Sequence, residues 1–319
     1  MPRIVVPDDA PPVMAASPAF KEFAQQATVA YHDTLPGGEE RLIERIADAA
    51  VVINIRSSTR FTENVFHHSP DLRLLSLWGT GTDNVDLPAA AQHGVTVTNT
   101  PGVSAVSIAE HSLALLLAVA RRIPWTDAEV RGGLWPRGQG VQLHGKTLGV
   151  IGLGAVGRQL ARLGAGIGMR VIAWTMHPNP ALGVELVLLD DLLAQSDVVS
   201  LHLRLSAETR GFLGKAQFAR MKRSAILINT ARGPIMEESA LLDALGSGKI
   251  AGAGLDVFDT EPLPREHPFT RFENVVLTPH SAGVTPEALE AGLRLAIDNV
   301  RSFLDGHPEH VVVNGQVAR

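Results

Sequence analysis

The sequence predicts an α/β chain built of two doubly wound parallel-sheet domains. Three observations predict it: short apolar runs recur along both halves, amphipathic helical stretches separate them, and a glycine fingerprint, G-L-G-A-V-G at 152–157, joins one such run to a helix. In the first hundred residues the runs at 4–6, 51–55, 72–77 and 95–98 read as strands with helices between them. No glycine fingerprint occurs there, so this part is expected to be a cap over the chemistry and not the nucleotide site. From Pro101 the chain enters a long apolar helix over roughly 104–122, with a serine at its start.

After an irregular stretch containing Gly132, Gly133, Trp135 and Pro136, the run T-L-G-V-I reads as a buried strand that passes through the glycines into a helix over 155–163. A lone G-x-G-x-x-G is a weak signal, and the strand-turn-helix context gives it weight. Gly152 suits a tight turn, Gly154 close approach of the backbone to a pyrophosphate, and Gly157 close packing of helix on sheet, with helix N–H groups facing the phosphate oxygens. Further strands are expected at 170–174, 198–203, 225–229, 250–256 and 275–277. Ligands of such sheets collect outside the carboxyl ends of the strands, which is where Thr230 to Arg232, Asp256 and the Pro279-His280 turn fall.

Three polar residues behind the fingerprint read together as a hydride-transfer site. His280 backed by Glu261 is a proton donor and acceptor, and Arg232 can grip a carboxylate and polarise the adjacent carbonyl. Taken singly, each has a plainer reading: a surface ion pair for Arg232, a turn for Glu261, a structural imidazole for His280.

Composition narrows the field. The chain has 319 residues, 45% of them hydrophobic, a formal net charge of −5 and no cysteine. Two domains fit that length. The acidic balance argues against nucleic acid, and the absence of cysteine excludes thiolate chemistry and disulfides. The most apolar stretch, 113–120, is far short of the ~20 residues that span a bilayer, so no membrane is expected. With no signal-peptide pattern before the first strand, a cytoplasmic enzyme is the expectation. Asp8-Asp9, Glu39-Glu40 and Glu237-Glu238 read as solvated charges or helix N-terminal acids. His67-His68 lacks further ligands at metal spacing, so no metal is expected.

Several ordered motifs resemble the D-isomer-specific 2-hydroxyacid dehydrogenase family: I-R-S-S-T-R at 55–60, G-T-G-T-D-N-V-D at 79–86, T-N-T-P-G-V-S at 98–104, A-E-H-S-L-A-L at 109–115, G-K-T-L-G-V-I-G-L-G-A-V-G at 145–157, and later I-N-T-A-R-G-P-I, A-G-L-D-V-F-D-T-E-P-L and T-P-H. The resemblance covers nearly the whole chain. It implies a Rossmann NAD(P)-binding domain, residues 100–286, inserted into a flavodoxin-like substrate (cap) domain formed by 1–99 and 287–319. It implies interconversion of a D-2-hydroxy acid and a 2-keto acid, with Arg232 on the substrate carboxylate and C2 oxygen, His280 as acid/base, and Glu261 orienting His280 and favouring its protonated form. The cofactor would meet Gly152, Gly154, Ala155, Val156, Gly157, Thr175, His202, Thr230, Ala231 and Asp256, the last at the nicotinamide carboxamide. Arg56, Ser57, Thr80 and Gly81 would contact substrate. A homodimer is implied, with the Trp135 segment at its contact or, alternatively, in ordinary core.

Two departures from the family pattern stand out. The acidic residue expected about 20 residues past the fingerprint is replaced by Thr175, 18 positions beyond Gly157, which leaves both NAD(H) and NADP(H) usable. Arg204 stands where many relatives carry a proline or small apolar residue, and its role is open between phosphate binding and solvent. Two alternative functions stay open at this stage: a nucleotide-sensing binding protein of the same fold, and a phosphite-type dehydrogenase.

Overall fold

The computed structural model describes residues 2–179 and 183–315. The chain divides into two compact units, one formed by the residues up to 104 with those from 285 onward, the other by 105–284. Elements are numbered in chain order.

The first unit carries a six-stranded sheet of β1 (Ile4–Val6), β2 (Val29–Tyr31), β3 (Val51–Asn54), β4 (Leu74–Leu77), β5 (Thr96–Thr98) and β13 (Val311–Val313). Its order is β13-β5-β4-β3-β1-β2, a flavodoxin-like 2-1-3-4-5 arrangement with one added edge. β1, β3, β4 and β5 are buried along their whole length because helices cover both faces. Alternate side chains face opposite ways: Val5, Val52 and Leu75 meet α2 (Glu39–Ile46), α3 (Glu63–His67) and α4 (Leu87–Gln92), while Ile4, Val51 and Leu74 meet α1 (Pro18–Gln26) and α11 (Pro286–Leu304). Ser17, Thr62, Asp86 and Thr285 cap α1, α3, α4 and α11 by accepting a backbone N–H. The expected all-parallel sheet is corrected at one edge, where β13 runs antiparallel to β5. β2 and β13 carry only partly buried or exposed residues over three positions each, too short to show a periodic pattern.

The second unit carries seven parallel strands, β6 (Thr147–Ile151), β7 (Arg170–Trp174), β8 (Glu185–Leu186), β9 (Val198–Leu201), β10 (Ile226–Asn229), β11 (Gly252–Leu255) and β12 (Val275–Leu277), ordered β12-β11-β10-β9-β6-β7-β8. The order reverses between β6 and β9, which makes the carboxyl end of that pair the topological switch point. One face packs on α5 (Ala105–Arg121) and α7 (Ala155–Gly166) through Leu115, Leu116, Leu160 and Ala161. The other packs on α8 (Leu189–Gln195), α9 (Lys215–Arg220) and α10 (Glu238–Gly246) through Leu192, Phe218 and Leu241. α5 lies so close that a Cβ at Gly254 would stand 2.9 Å from that of Leu115. The helix breaks at Arg122, whose φ is +52°, and α6 (Ile123–Arg131) follows. Among the described residues no helix is long and apolar enough to cross a membrane. Trp135 is 77% exposed, which removes the core reading of that side chain.

Asp8 and Asp9 correct the expectation of solvated charges, for both are 0% exposed. They follow β1 at the switch between β1 and β3. Asp8 accepts hydrogen bonds from Ile55 N–H, Arg56 N–H and the Asn54 amide, and Asp9 from Val13 and Met14 N–H and the Tyr31 hydroxyl. Arg56 lies 3.7 Å from Asp9 and donates to the Pro11 carbonyl. Burial pushes the Asp8 carboxyl up, and those donors oppose the rise. Because its folded-state value is raised, Asp8 favours folding less as pH rises through that range. In Asp8→Asn the amide NH2 must face at least one of three donors, so a loss of about 1–3 kcal/mol of folding stability is expected. Thermal or urea denaturation measures it; an unchanged midpoint would mean the donors find other acceptors.

Candidate active site

The glycine turn occupies the switch point of the second sheet. Gly152 adopts φ +96°, and a Cβ there would lie 2.6 Å from the His202 carbonyl oxygen at the end of β9. Gly157 is buried, and a Cβ on it would collide with the Gly152 carbonyl, so the helix can approach this turn only with glycine at 157, while Gly152 is required by its own φ and by the His202 carbonyl. Gly154 differs: a Cβ there would meet nothing within 4 Å. Gly154 and Ala155 are exposed, and α7 begins at Ala155 with no side chain capping its N-terminus. Open space above a bare helix N-terminus of this kind fits a dinucleotide pyrophosphate, with N–H groups of Ala155, Val156 and Gly157 as the donors.

The other candidate residues of this unit stand at the same carboxyl edge, each behind its own strand. Thr175 follows β7 and is half-buried, while His177 and Arg204 are exposed. His202 follows β9, with its Nε2 2.9 Å from the Ser200 hydroxyl. Part of the residue is open to solvent, yet the atoms packed around the ring desolvate it, and its pKa falls to about 3, so the imidazole is neutral. Thr230, Ala231 and Arg232 follow β10. Thr230 is buried with its hydroxyl 2.8 Å from that of Ser112 on α5.

Arg232 and Glu261 are brought together by backbone packing. Gly233 lies against the backbone of Phe258 and Asp259 so tightly that a Cβ would overlap it. That contact sets Arg232 beside the segment leading to Glu261. One Arg232 amino group donates to the Ala231 carbonyl at 2.8 Å, and its charge acts on the Glu261 carboxyl. Glu261 in turn reaches His280, with Oε2 2.7 Å from Nδ1, while Oε1 accepts the Phe258 N–H at 3.0 Å. Burial alone would raise the Glu261 carboxyl; the hydrogen bond and charge of His280, the Phe258 N–H and the charge of Arg232 outweigh it and hold it below the ordinary range. An ionised carboxylate only accepts, so Nδ1 carries the hydrogen and Nε2 is the nitrogen left for chemistry. The two side chains are each 35% exposed, which leaves that nitrogen accessible.

The His280 turn is itself held by Asp256. His280 adopts φ +51°, a strained conformation for a residue with a side chain, and its N–H donates to the Asp256 carbonyl at 2.8 Å. The Asp256 carboxylate, 0% exposed, accepts the Thr278 hydroxyl at 2.6 Å and the N–H groups of Ser281 and Ala282 at 2.9 Å. His111 on α5 completes the group, 3.0 Å from the Thr278 hydroxyl and 3.5 Å from Asp256. Asp256 is expected at the cofactor, whereas His111, Ser112 and Thr278 carry no expected role; their signal in the sequence is membership of the motifs A-E-H-S-L-A-L and T-P-H.

The remaining candidates belong to the first unit, at the carboxyl edge of its own sheet. Arg56 and Ser57 follow β3, on the turn that Asp8 secures. Thr80 and Gly81 follow β4, where Gly79 N–H donates to the Thr100 hydroxyl at 2.7 Å and the Asn99 amide to the Thr80 carbonyl at 2.8 Å.

Comparison with known proteins agrees with this layout. Residues 113–282 match the family model "D-isomer specific 2-hydroxyacid dehydrogenase, NAD binding domain". The chain is 38% identical over 299 residues to a glyoxylate reductase of Korarchaeum cryptofilum, covering 91% of this chain and 90% of the relative. It is 39% identical over 283 residues to a D-3-phosphoglycerate dehydrogenase of Methanocaldococcus jannaschii, covering 86% of this chain but only 54% of that longer relative. Among solved structures, an acyclic imino acid reductase in complex with NADPH and D-arginine superposes with a TM-score of 0.89 at 30% identity, covering 98% of this chain and 100% of that one. The chain belongs to the D-isomer-specific 2-hydroxyacid dehydrogenase family, oxidoreductases with a nicotinamide-cofactor domain.

Proposed function

We propose that this protein reduces a 2-keto acid to a D-2-hydroxy acid, and catalyses the reverse oxidation, with His280 as acid/base, Glu261 as its orienting partner and Arg232 on the substrate carboxylate and carbonyl. The observation that carries this reading is the 2.7 Å contact of Glu261 with His280 on the same sheet edge as the glycine turn. A bound nicotinamide dinucleotide supplies or accepts the hydride. In reduction, His280 Nε2–H donates a proton to the carbonyl oxygen as it becomes an alkoxide, and Arg232 stabilises that oxygen's charge. In oxidation, neutral Nε2 accepts the hydroxyl proton while Glu261 steadies the imidazolium that forms. Arg56, Ser57, Thr80 and Gly81 contact the substrate in this reading, and Ala155, Val156, His202, Thr230, Ala231 and Asp256 border the cofactor. The protein acts as a homodimer, a reading supported by apolar exposure in one stretch, Ile123 at 53%, Val130 at 44%, Leu134 at 57% and Trp135 at 77%.

The deciding experiment follows absorbance at 340 nm with glyoxylate, hydroxypyruvate, pyruvate, phenylpyruvate and branched 2-keto acids, each with NADH and NADPH. Turnover is expected with at least one keto acid, and His280→Asn should lower it by ~10²- to 10⁴-fold while NADH fluorescence titration stays unchanged. No turnover across the panel would favour a nucleotide-sensing role, and oxidation of phosphite alone would favour a phosphite-type dehydrogenase.

Removing the Glu261 carboxylate tests its role as orienting partner. Glu261→Gln should lower kcat for reduction and oxidation alike while NADH fluorescence titration stays unchanged, because His280 loses the acceptor that fixes its tautomer and orientation. Unchanged turnover in the variant would leave Glu261 as a turn residue.

Cofactor choice turns on Thr175, whose neutral side chain neither repels a 2′-phosphate nor grips the ribose hydroxyls as a carboxylate does. The NADPH bound by the imino acid reductase of the same fold supports use of both cofactors. Thr175→Asp should raise the ratio of kcat/KM for NADH over NADPH. A wild type that already rejects NADPH would place the selection elsewhere.

A further inference from the structure

We propose that Glu63, His67 and His93 form a binding site for a divalent transition-metal ion of the zinc class, independent of the hydride-transfer machinery. Glu63 and His67 stand one turn apart on α3, and His93 is the C-cap residue of α4. One ligand atom from each lies within 4.8 Å of the other two. A tetrahedral ion with bonds of about 2.0–2.2 Å keeps its donor atoms roughly 3.3–3.6 Å apart. The 3.5 Å between Glu63 Oε1 and His93 Nε2 is already such an edge, and a ring nitrogen of exposed His67 lies within 4.8 Å of both.

The scaffold under the three ligands is fixed. Val65, Phe66, Ala89 and Ala90 bury the inner faces of both helices in one core. The His93 ring stacks on buried Phe66 with an interplanar angle of 25°, and its backbone N–H closes α4 on Ala89 and Ala91. His67 meets His93 edge-on, with centroids 6.1 Å apart. An exposed Glu63–His93 ion pair would be worth little by itself and leaves the convergence of a second imidazole unexplained. Two imidazoles and one carboxylate with a solvent-facing fourth position suit zinc, cobalt or nickel and not magnesium or calcium.

The site is remote from the carboxyl edge in topology: α3 and α4 end at His67 and His93, and each chain then runs into the amino end of the next strand, β4 or β5. A bound ion would tie α3 to α4 and stabilise this unit by binding only the folded form. The test uses the full chain without a histidine tag, stripped with EDTA. Zinc titration calorimetry and visible cobalt absorption are measured on wild type, His67→Gln and His93→Gln, with circular dichroism confirming that each is folded. One equivalent of zinc and a tetrahedral cobalt spectrum are expected for wild type, with affinity at least about tenfold weaker in either variant, and a zinc-dependent rise in Tm in wild type alone. Unchanged zinc binding in the two variants would assign the ion to other histidines and overturn the proposal, as would the absence of saturable binding by wild type.

Discussion

The buried carboxylate of Asp256 is the contact on which the edge carrying the candidate site depends. It follows β11, and its oxygens take the Thr278 hydroxyl and the N–H groups of Ser281 and Ala282, while its carbonyl takes the His280 N–H. Burying a carboxylate is costly unless donors surround it, so the chain from 278 to 282 is obliged to wrap around this group. The left-handed conformation of His280 is a consequence of that wrapping, and it is what presents the imidazole to Glu261. His111 from α5 closes the arrangement from the helix side. The acid/base pair therefore rests on a second polar layer that takes no part in proton transfer in the mechanism proposed here.

Parallel strands impose the rest of the layout. Each strand in a doubly wound sheet must be followed by a crossover, so every strand ends on the same side, and polar residues far apart in sequence arrive on one edge. Thr175, His202, Arg232 and Asp256 stand behind four different strands, and Glu261 and His280 complete the row. At the glycine turn α7 starts without a side-chain cap, and a Cβ on Gly154 would meet nothing within 4 Å. In the first unit the same logic puts Asp8 at the switch of the other sheet, where it secures the turn that carries Arg56 and Ser57.

Long-range contacts and short edge strands leave no local trace in the sequence. Adjacent aspartates such as Asp8 and Asp9 look like solvated charges because nothing local shows that Ile55, Arg56 and Asn54 will supply donors from a strand more than forty positions away. Glu63 and His67 share α3, but His93 belongs to another helix, and only packing of α3 on α4 brings it near them. β2, β8 and β13 lie outside the expected strands because edge strands of two or three residues, partly exposed, carry no periodic signal.

The sequence by itself determined the two-sheet α/β class, most strand positions, the glycine turn and the family, because buried parallel strands demand continuous apolar runs and the fingerprint demands glycine where a Cβ would strike the His202 or Gly152 carbonyl. The apolar runs and the glycine pattern are each written within a few residues, whatever they later pack against. Tertiary structure alone decided which other polar groups face one another, Asp256 with Thr278 and His111 and Asp8 with the 54–56 turn, and that Gly233 packs on the Phe258 backbone. Such pairings arise because a buried charge accepts whatever donors the folded backbone brings within hydrogen-bond reach, and that reach is set by the packing of distant elements, not by neighbours along the chain.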